Sequence, residues 1–220
     1  MPEMRRPMGA GEALYSTLTG LSPRSEGKTT QARVKDALKR LMGKGEARSE
    51  GEAKRKLAEK VGVSVRTVQK WAKGQQEATN TARGNHADKL AAAQRAARLK
   101  PGRVEKMRAA GRAAPVPPGT QPQTQAGGDA SAAAGAKSWS GIDRLGAGGV
   151  GLRLYGTVRV SDDERDRWIS PGQSIPESSL GALIDRLVAE GPEAAGEELN
   201  KLLSYYVPGM SITNIEAIEY

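Results

Sequence analysis

Residues 61–74, VGVSVRTVQKWAKG, decide how the amino-terminal half of this 220-residue chain is read. Just before them, residues 50–60 set Ala53, Leu57, Ala58 and Val61 at helical spacing, so that one face can be buried. Gly62 follows where a tight turn needs a residue that tolerates positive φ. Ser64 is then placed to cap a second helix, its hydroxyl accepting a backbone N–H that has no partner inside that helix. In the second helix Val65, Val68, Trp71 and Ala72 face inward, which leaves Arg66, Thr67, Gln69, Lys70 and Lys73 outside. Arg, Gln and Lys are the side chains that bond base edges and phosphates in a major groove. The stretch therefore reads as the turn and recognition helix of a helix-turn-helix, with Ser64, Arg66, Thr67, Gln69, Lys70 and Lys73 as DNA-binding residues. The plainer alternative is an ordinary corner between two helices.

Charge supports the first reading. The chain carries 34 Lys and Arg against 25 Asp and Glu, and they are unevenly spread. Residues 1–113 hold 26 basic and 11 acidic side chains, whereas residues 114–220 hold 8 and 14. One half suits a polyanion and the other does not. Without cysteine there is no disulfide, zinc–thiolate site or thiol catalysis. The sequence shows neither a secretory h-region nor 18 consecutive apolar residues, so the expected place is the cytoplasm, at the nucleoid, with no membrane partner.

Working outward, the sequence predicts an α+β chain. Residues 1–28 read as a mostly flexible basic arm in which only 13–21 can form a short apolar turn. Residues 29–112 read as an all-α helix-turn-helix domain with a basic helical extension. Thr29 or Thr30 caps its first helix, whose inner face is Val34, Ala37, Leu38 and Leu41, and 89–98 is helical by propensity. Residues 113–145 are low-complexity Pro, Gly, Ala, Gln and Thr, and read as a disordered linker. Residues 146–220 read as a small β-α-α-β domain for priming or interaction. Val150, Leu152, Leu154, Val158 and Val160 alternate with polar residues as in a half-buried strand, and Gly156 marks a bulge. Asp162–Glu164 ends that strand, helices follow over 180–189 and 193–206, and 210–220 is strand-like.

Little in the chain can carry chemistry by itself. His86 is the single histidine, so no triad or His–metal cluster can form. The Gly-rich stretch 146–151 precedes a strand, which removes the helix dipole that a phosphate loop needs. Asp162, Asp163, Glu164 and Asp166 are the densest acidic cluster, read as a helix start capped by Ser161 or Asp162 more readily than as a cation site. Two hydroxyls stand beside it, Thr157 on the polar face of the strand and Ser161 at its end. No cofactor and no metal is expected.

Taken together, LAEKVGVSVRTVQKWAKG, the basic tract after it, the linker, VRVSDDERDRWI, LLSYYVPG and SITNIEAIEY resemble the telomere terminal proteins of linear Streptomyces chromosomes and plasmids. The resemblance covers roughly residues 33–220 and rests on the order and spacing of these segments. It implies a protein primer: a threonine hydroxyl near the acidic turn accepts the first deoxynucleotide, a DNA polymerase supplies metal ions and catalysis, and the protein stays on the 5′ end. It implies as partners telomeric DNA ends, including a single-stranded overhang, a DNA polymerase and a telomere-associated protein, and it implies that the chain is not itself an enzyme. Ser161 stands where the family threonine is expected and Thr157 lies four residues upstream, so both are candidates for nucleotide attachment. The competing reading is a helix-turn-helix transcriptional regulator with a carboxy-terminal protein-interaction domain. A nuclease or transposase fragment fits less well, because there is no room for a spaced acidic triad in a larger core.

Overall fold

Helices and one antiparallel sheet make up the computed structural model, which describes residues 8–82, 84–110, 152–171, 175 and 177–220. The chain is thus of mixed α+β class, as expected. The expected linker at 113–145 and the Gly-rich 146–151 lie outside the described residues. Two compact units form. One gathers Gly9–Val104 and Ala182–Leu199; the other gathers the described parts of Met1–Met8, Glu105–Gly181 and Asn200–Tyr220. No described helix is long and apolar enough to cross a membrane.

In the first unit, α1 (Ala10–Thr19) occupies residues read from sequence as a mostly flexible arm. It forms because Leu14, Tyr15 and Leu18 are buried almost completely, which more than offsets its Ser, Thr and Gly content. A short 3₁₀ turn, Pro23–Ser25, follows. Helix α2 (Thr30–Gly43) starts at Thr29, whose hydroxyl accepts the Ala32 N–H, and buries Val34, Ala37, Leu38 and Leu41 as the spacing predicts.

Helix α3 (Glu50–Val61) buries Ala53, Leu57, Ala58 and Val61 and ends at Gly62, whose φ of 76° a Cβ would resist. The Val63 N–H bonds Ala58 O and the Gly62 N–H bonds Glu59 O, so the last carbonyls of α3 are satisfied in a Schellman arrangement. Helix α4 (Val65–Ala72) begins at once, with Val68 and Trp71 buried. After it come a two-residue-per-strand hairpin, β1 (Asn80–Thr81) with β2 (Gly84–Asn85), then α5 (His86–Arg98) and α6 (Pro101–Ala110). Leu90, Ala93 and Ala97 of α5 join the core built by α2, α3 and α4. Asn80 Oδ1 accepts the Ala87 and Asp88 N–H groups, capping the start of α5 from outside the helix and tying the hairpin to it.

Helices α7 (Glu177–Ala189) and α8 (Pro192–Tyr206) run near the sequence-predicted bounds. Their segment Ala182–Leu199 nevertheless clusters with the amino-terminal helices instead of the sheet. Within that unit Leu183, Ile184, Leu187, Ala195 and Leu199 are buried, and the Arg95 guanidinium donates to the carbonyls of Val188 and Ala189 at 3.1 and 3.3 Å.

The second unit is built on a three-stranded antiparallel sheet of order β4-β3-β5: β3 (Arg153–Val160), β4 (Asp163–Ile169) and β5 (Met210–Glu219). The expected β-α-α-β order is therefore corrected to β-β-α-α-β. Residues Asp162–Glu164 begin no helix, and neither Ser161 nor Asp162 is a cap. Val160 pairs with Asp163, and Ser161 and Asp162 form the two-residue turn between them. Ser161 has a φ of 53°, the positive value that a primed hairpin turn demands of its first residue. Gly156 does mark an irregularity: the β3–β5 register shifts between Tyr155 and Gly156 and again between Thr157 and Val158, and a Cβ on Gly156 would lie 1.9 Å from Asn214 O. Leu154, Val158, Ile169, Ile212 and Ile215 are buried on one face of the sheet. Met8 pairs through its backbone with Ile215, alongside β5.

Candidate nucleic-acid interface

Helix α4 shows a sharp division of labour. Val68 and Trp71 are anchored in the core, so Arg66, Gln69, Lys70 and Lys73, spaced i, i+3, i+4 and i+7, stand exposed together on the opposite side. Ser64 and Thr67, expected to bind DNA, bond each other at the start of the helix. Ser64 Oγ accepts the Thr67 N–H at 3.1 Å and lies 2.9 Å from Thr67 Oγ1. They fix the start of α4, while the four longer side chains remain to reach outward. The far end is fixed as well: Gln31 Nε2 donates to Ala72 O at 3.2 Å.

The basic character of residues 86–98 is less available than composition suggests. Arg98, only 5% exposed, is structural. Its Nε donates to Asp36 Oδ2 at 2.5 Å, its Nη1 to the Tyr15 hydroxyl and Ser25 Oγ at 3.0 Å each, and its Nη2 to Ser25 O at 2.8 Å. Gln94 Nε2 adds a bond to the same Asp36 oxygen at 2.8 Å. Burial works against the Asp36 carboxylate, but the Gln94 and Arg98 bonds outweigh it and hold its pKa below the ordinary 3.8. Burial pushes the Tyr15 phenol up to about 12, against the pull of Arg98. Arg95 is likewise turned inward, against Glu26 at 3.4 Å.

In the second unit, the two candidate hydroxyls sit in different settings. Thr157 lies on β3 directly opposite Asp166 of β4, and its hydroxyl donates to Asp166 Oδ1 at 2.8 Å. Thr213 Oγ1 lies 3.3 Å from both Thr157 O and Glu164 Oε1. Thr157, Asp166, Glu164 and Asn214 thus share the sheet face opposite the core, because directly paired residues of antiparallel strands point the same way. Ser161 is exposed at the hairpin tip, where its carbonyl accepts from Arg159 Nε at 3.3 Å. The acidic cluster is split by the strand: Glu164 and Asp166 lie on this face, while Asp163 pairs with Arg165 at 2.8 Å. Among the described residues no group of three or more His, Cys, Asp or Glu is placed to hold a metal ion. His86 sits at the start of α5, beside Gly84.

Sequence reasoning missed one constellation on that face. Tyr155 pairs with Trp168 across β3 and β4, their ring centroids 5.3 Å apart, and the Arg153 guanidinium lies 4.8 Å from the Trp168 ring centre. Alternation alone had put Tyr155 on the polar side, but without β4 there was nothing to bring Trp168 beside it. No protein family matches the chain, and no curated protein or solved structure matches it.

Proposed function

We propose that this chain binds DNA through a helix-turn-helix formed by α3 and α4, and that it primes replication at the ends of linear DNA with a hydroxyl on β3. The observation that carries the DNA reading is the stripe Arg66, Gln69, Lys70 and Lys73, presented by a helix whose ends and inner face are all fixed. The resemblance to telomere terminal proteins supplies the end-priming part. A DNA polymerase and a telomere-associated protein are the partners it calls for, at the nucleoid.

Of the two hydroxyls, the geometry favours Thr157. Its O–H already points at a carboxylate, so Oγ can attack the α-phosphorus of a deoxynucleoside triphosphate as Asp166 takes the proton. The new O–P bond forms as the bond from the α-phosphorus to the bridging oxygen breaks, and pyrophosphate leaves. Metal ions and leaving-group stabilisation belong to the polymerase.

Two measurements test this. Incubation with host extract and an α-labelled deoxynucleotide should give label that survives SDS and phenol, is lost in Thr157→Ala and persists in Ser161→Ala. Loss in S161A alone would move attachment to the turn. No label, with duplex binding intact, would favour a transcriptional regulator. Duplex affinity should fall with log salt at a slope of about −4 to −6, for roughly 5–7 phosphate contacts. Arg66→Ala or Gln69→Ala should each weaken binding by ~1–3 kcal/mol at the preferred site.

A further inference from the structure

From the same sheet face we infer a second nucleic-acid surface: Tyr155, Trp168 and Arg153 form a stacking platform for the unpaired bases of single-stranded DNA. The choice of DNA rests on the proposed function; the platform itself rests on geometry.

Along β3 the residues facing away from the core are Arg153, Tyr155, Thr157 and Arg159. Cation, ring, hydroxyl and cation therefore follow one another at the two-residue repeat of a strand, about 6–7 Å apart. Trp168 enlarges the ring area from β4, and both aromatic side chains remain part-exposed. They are no part of the core, which Leu154, Val158, Ile169, Ile212 and Ile215 fill on the other face. Every base has a π-face, and aromatic side chains joined by an arginine are what single-strand binders use to hold bases without reading sequence.

The face is also polar along its length. Its ring end carries Arg153, paired with Glu219 at 3.1 Å, whereas the hydroxyl end sets two carboxylates, Asp166 and Glu164, against the single cation Arg159. The excess of carboxylates at the hydroxyl end disfavours backbone phosphates there, so a strand lying here keeps its bases on the rings.

The test uses the full chain and a mixed-sequence deoxyoligonucleotide of about ten residues carrying 5-iododeoxyuridine. Irradiation followed by mass-spectrometric mapping should place crosslinks on Tyr155 or Trp168; crosslinks confined to other residues overturn the platform. Affinity for the unmodified strand should fall about tenfold or more in Tyr155→Leu and Trp168→Leu and be retained in Tyr155→Phe and Trp168→Phe. Equal affinity of the Leu variants and the original chain overturns it. Duplex binding through α4 and the label on Thr157 are read separately, so the platform can fail while the proposed function stands, and the reverse. An RNA strand of the same sequence bound more tightly than the DNA would overturn the choice of DNA.

Discussion

The α3–α4 corner and the β3–β4 hairpin both reverse the chain on a single residue with positive φ, yet they use different residues and different support. Gly62, at 76°, adopts its conformation without a Cβ clash, and Val63 beside it packs against the core. Ser161, at 53°, carries a Cβ into the same region and stands exposed, with the strand beyond it charged. The corner is held by the backbone bonds of Gly62 and Val63, the Ser64 cap and the burial of Val68 and Trp71. The hairpin turn is held by the pairing of the strands beneath it.

The largest test of that contrast is the buried polar cluster under the helices. Arg98→Ala would leave Asp36 and the Tyr15 hydroxyl without their shared partner and should cost about 3–5 kcal/mol in denaturant unfolding. Duplex binding should be lost as the unit melts. In the sheet, Gly156→Ala forces a methyl against Asn214 O and should cost about 1–3 kcal/mol, with the β3–β5 register disturbed in amide exchange. Gly62→Ala should cost about 1–2 kcal/mol and weaken duplex binding with it, because α4 can no longer start where it does. Ser161→Gly runs the other way. Removing the Cβ at 53° should stabilise the fold by about 1 kcal/mol or less, read as a small rise in the thermal midpoint.

The shallowest effect is the pH dependence of the same cluster. The Asp36 pKa is depressed on folding, so its contribution is complete at neutral pH and lost as pH falls below about 4. The Tyr15 pKa is raised from 10.0 to about 12, so its contribution is complete below pH 10 and lost as pH rises toward 12. Asp36→Asn should flatten the acid limb of stability and leave the alkaline limb in place. An unchanged acid limb would show that Asp36 is not coupled to folding.

Much of the helical unit was legible in the sequence, because caps and apolar spacing agree there: Thr29, Ser64 and Gly62 bound the elements that Val34, Leu38, Leu57, Val61, Val68 and Trp71 bury. Helix α1 was not legible. Ala10, Gly11, Ala13, Leu14, Tyr15, Ser16, Leu18 and Thr19 are all buried, so it shows hardly any polar face by which to recognise a helical period. Strand β4 was hidden for the opposite reason. As an edge strand it exposes Asp163, Glu164, Arg165 and Asp166, so no apolar alternation betrays it and the acids read instead as a helix start. At the candidate sites, the outer stripe of α4 followed from periodicity alone. The Thr157–Asp166 and Tyr155–Trp168 pairs needed a register that only the paired strands supply.

The charges on β4 have a consequence for how the protein behaves in concentrated solution. Among the described residues nothing pairs with the outer backbone of this strand, and a bare ladder of that kind invites copies of the chain to add on. Five consecutive residues of charged type, Asp163 to Arg167, flank that ladder, and an approaching copy would have to desolvate them. Threonine or valine at Arg165 and Arg167 would remove this guard and turn the border into a seed for fibrils, most visibly in high salt, where the remaining carboxylates are screened.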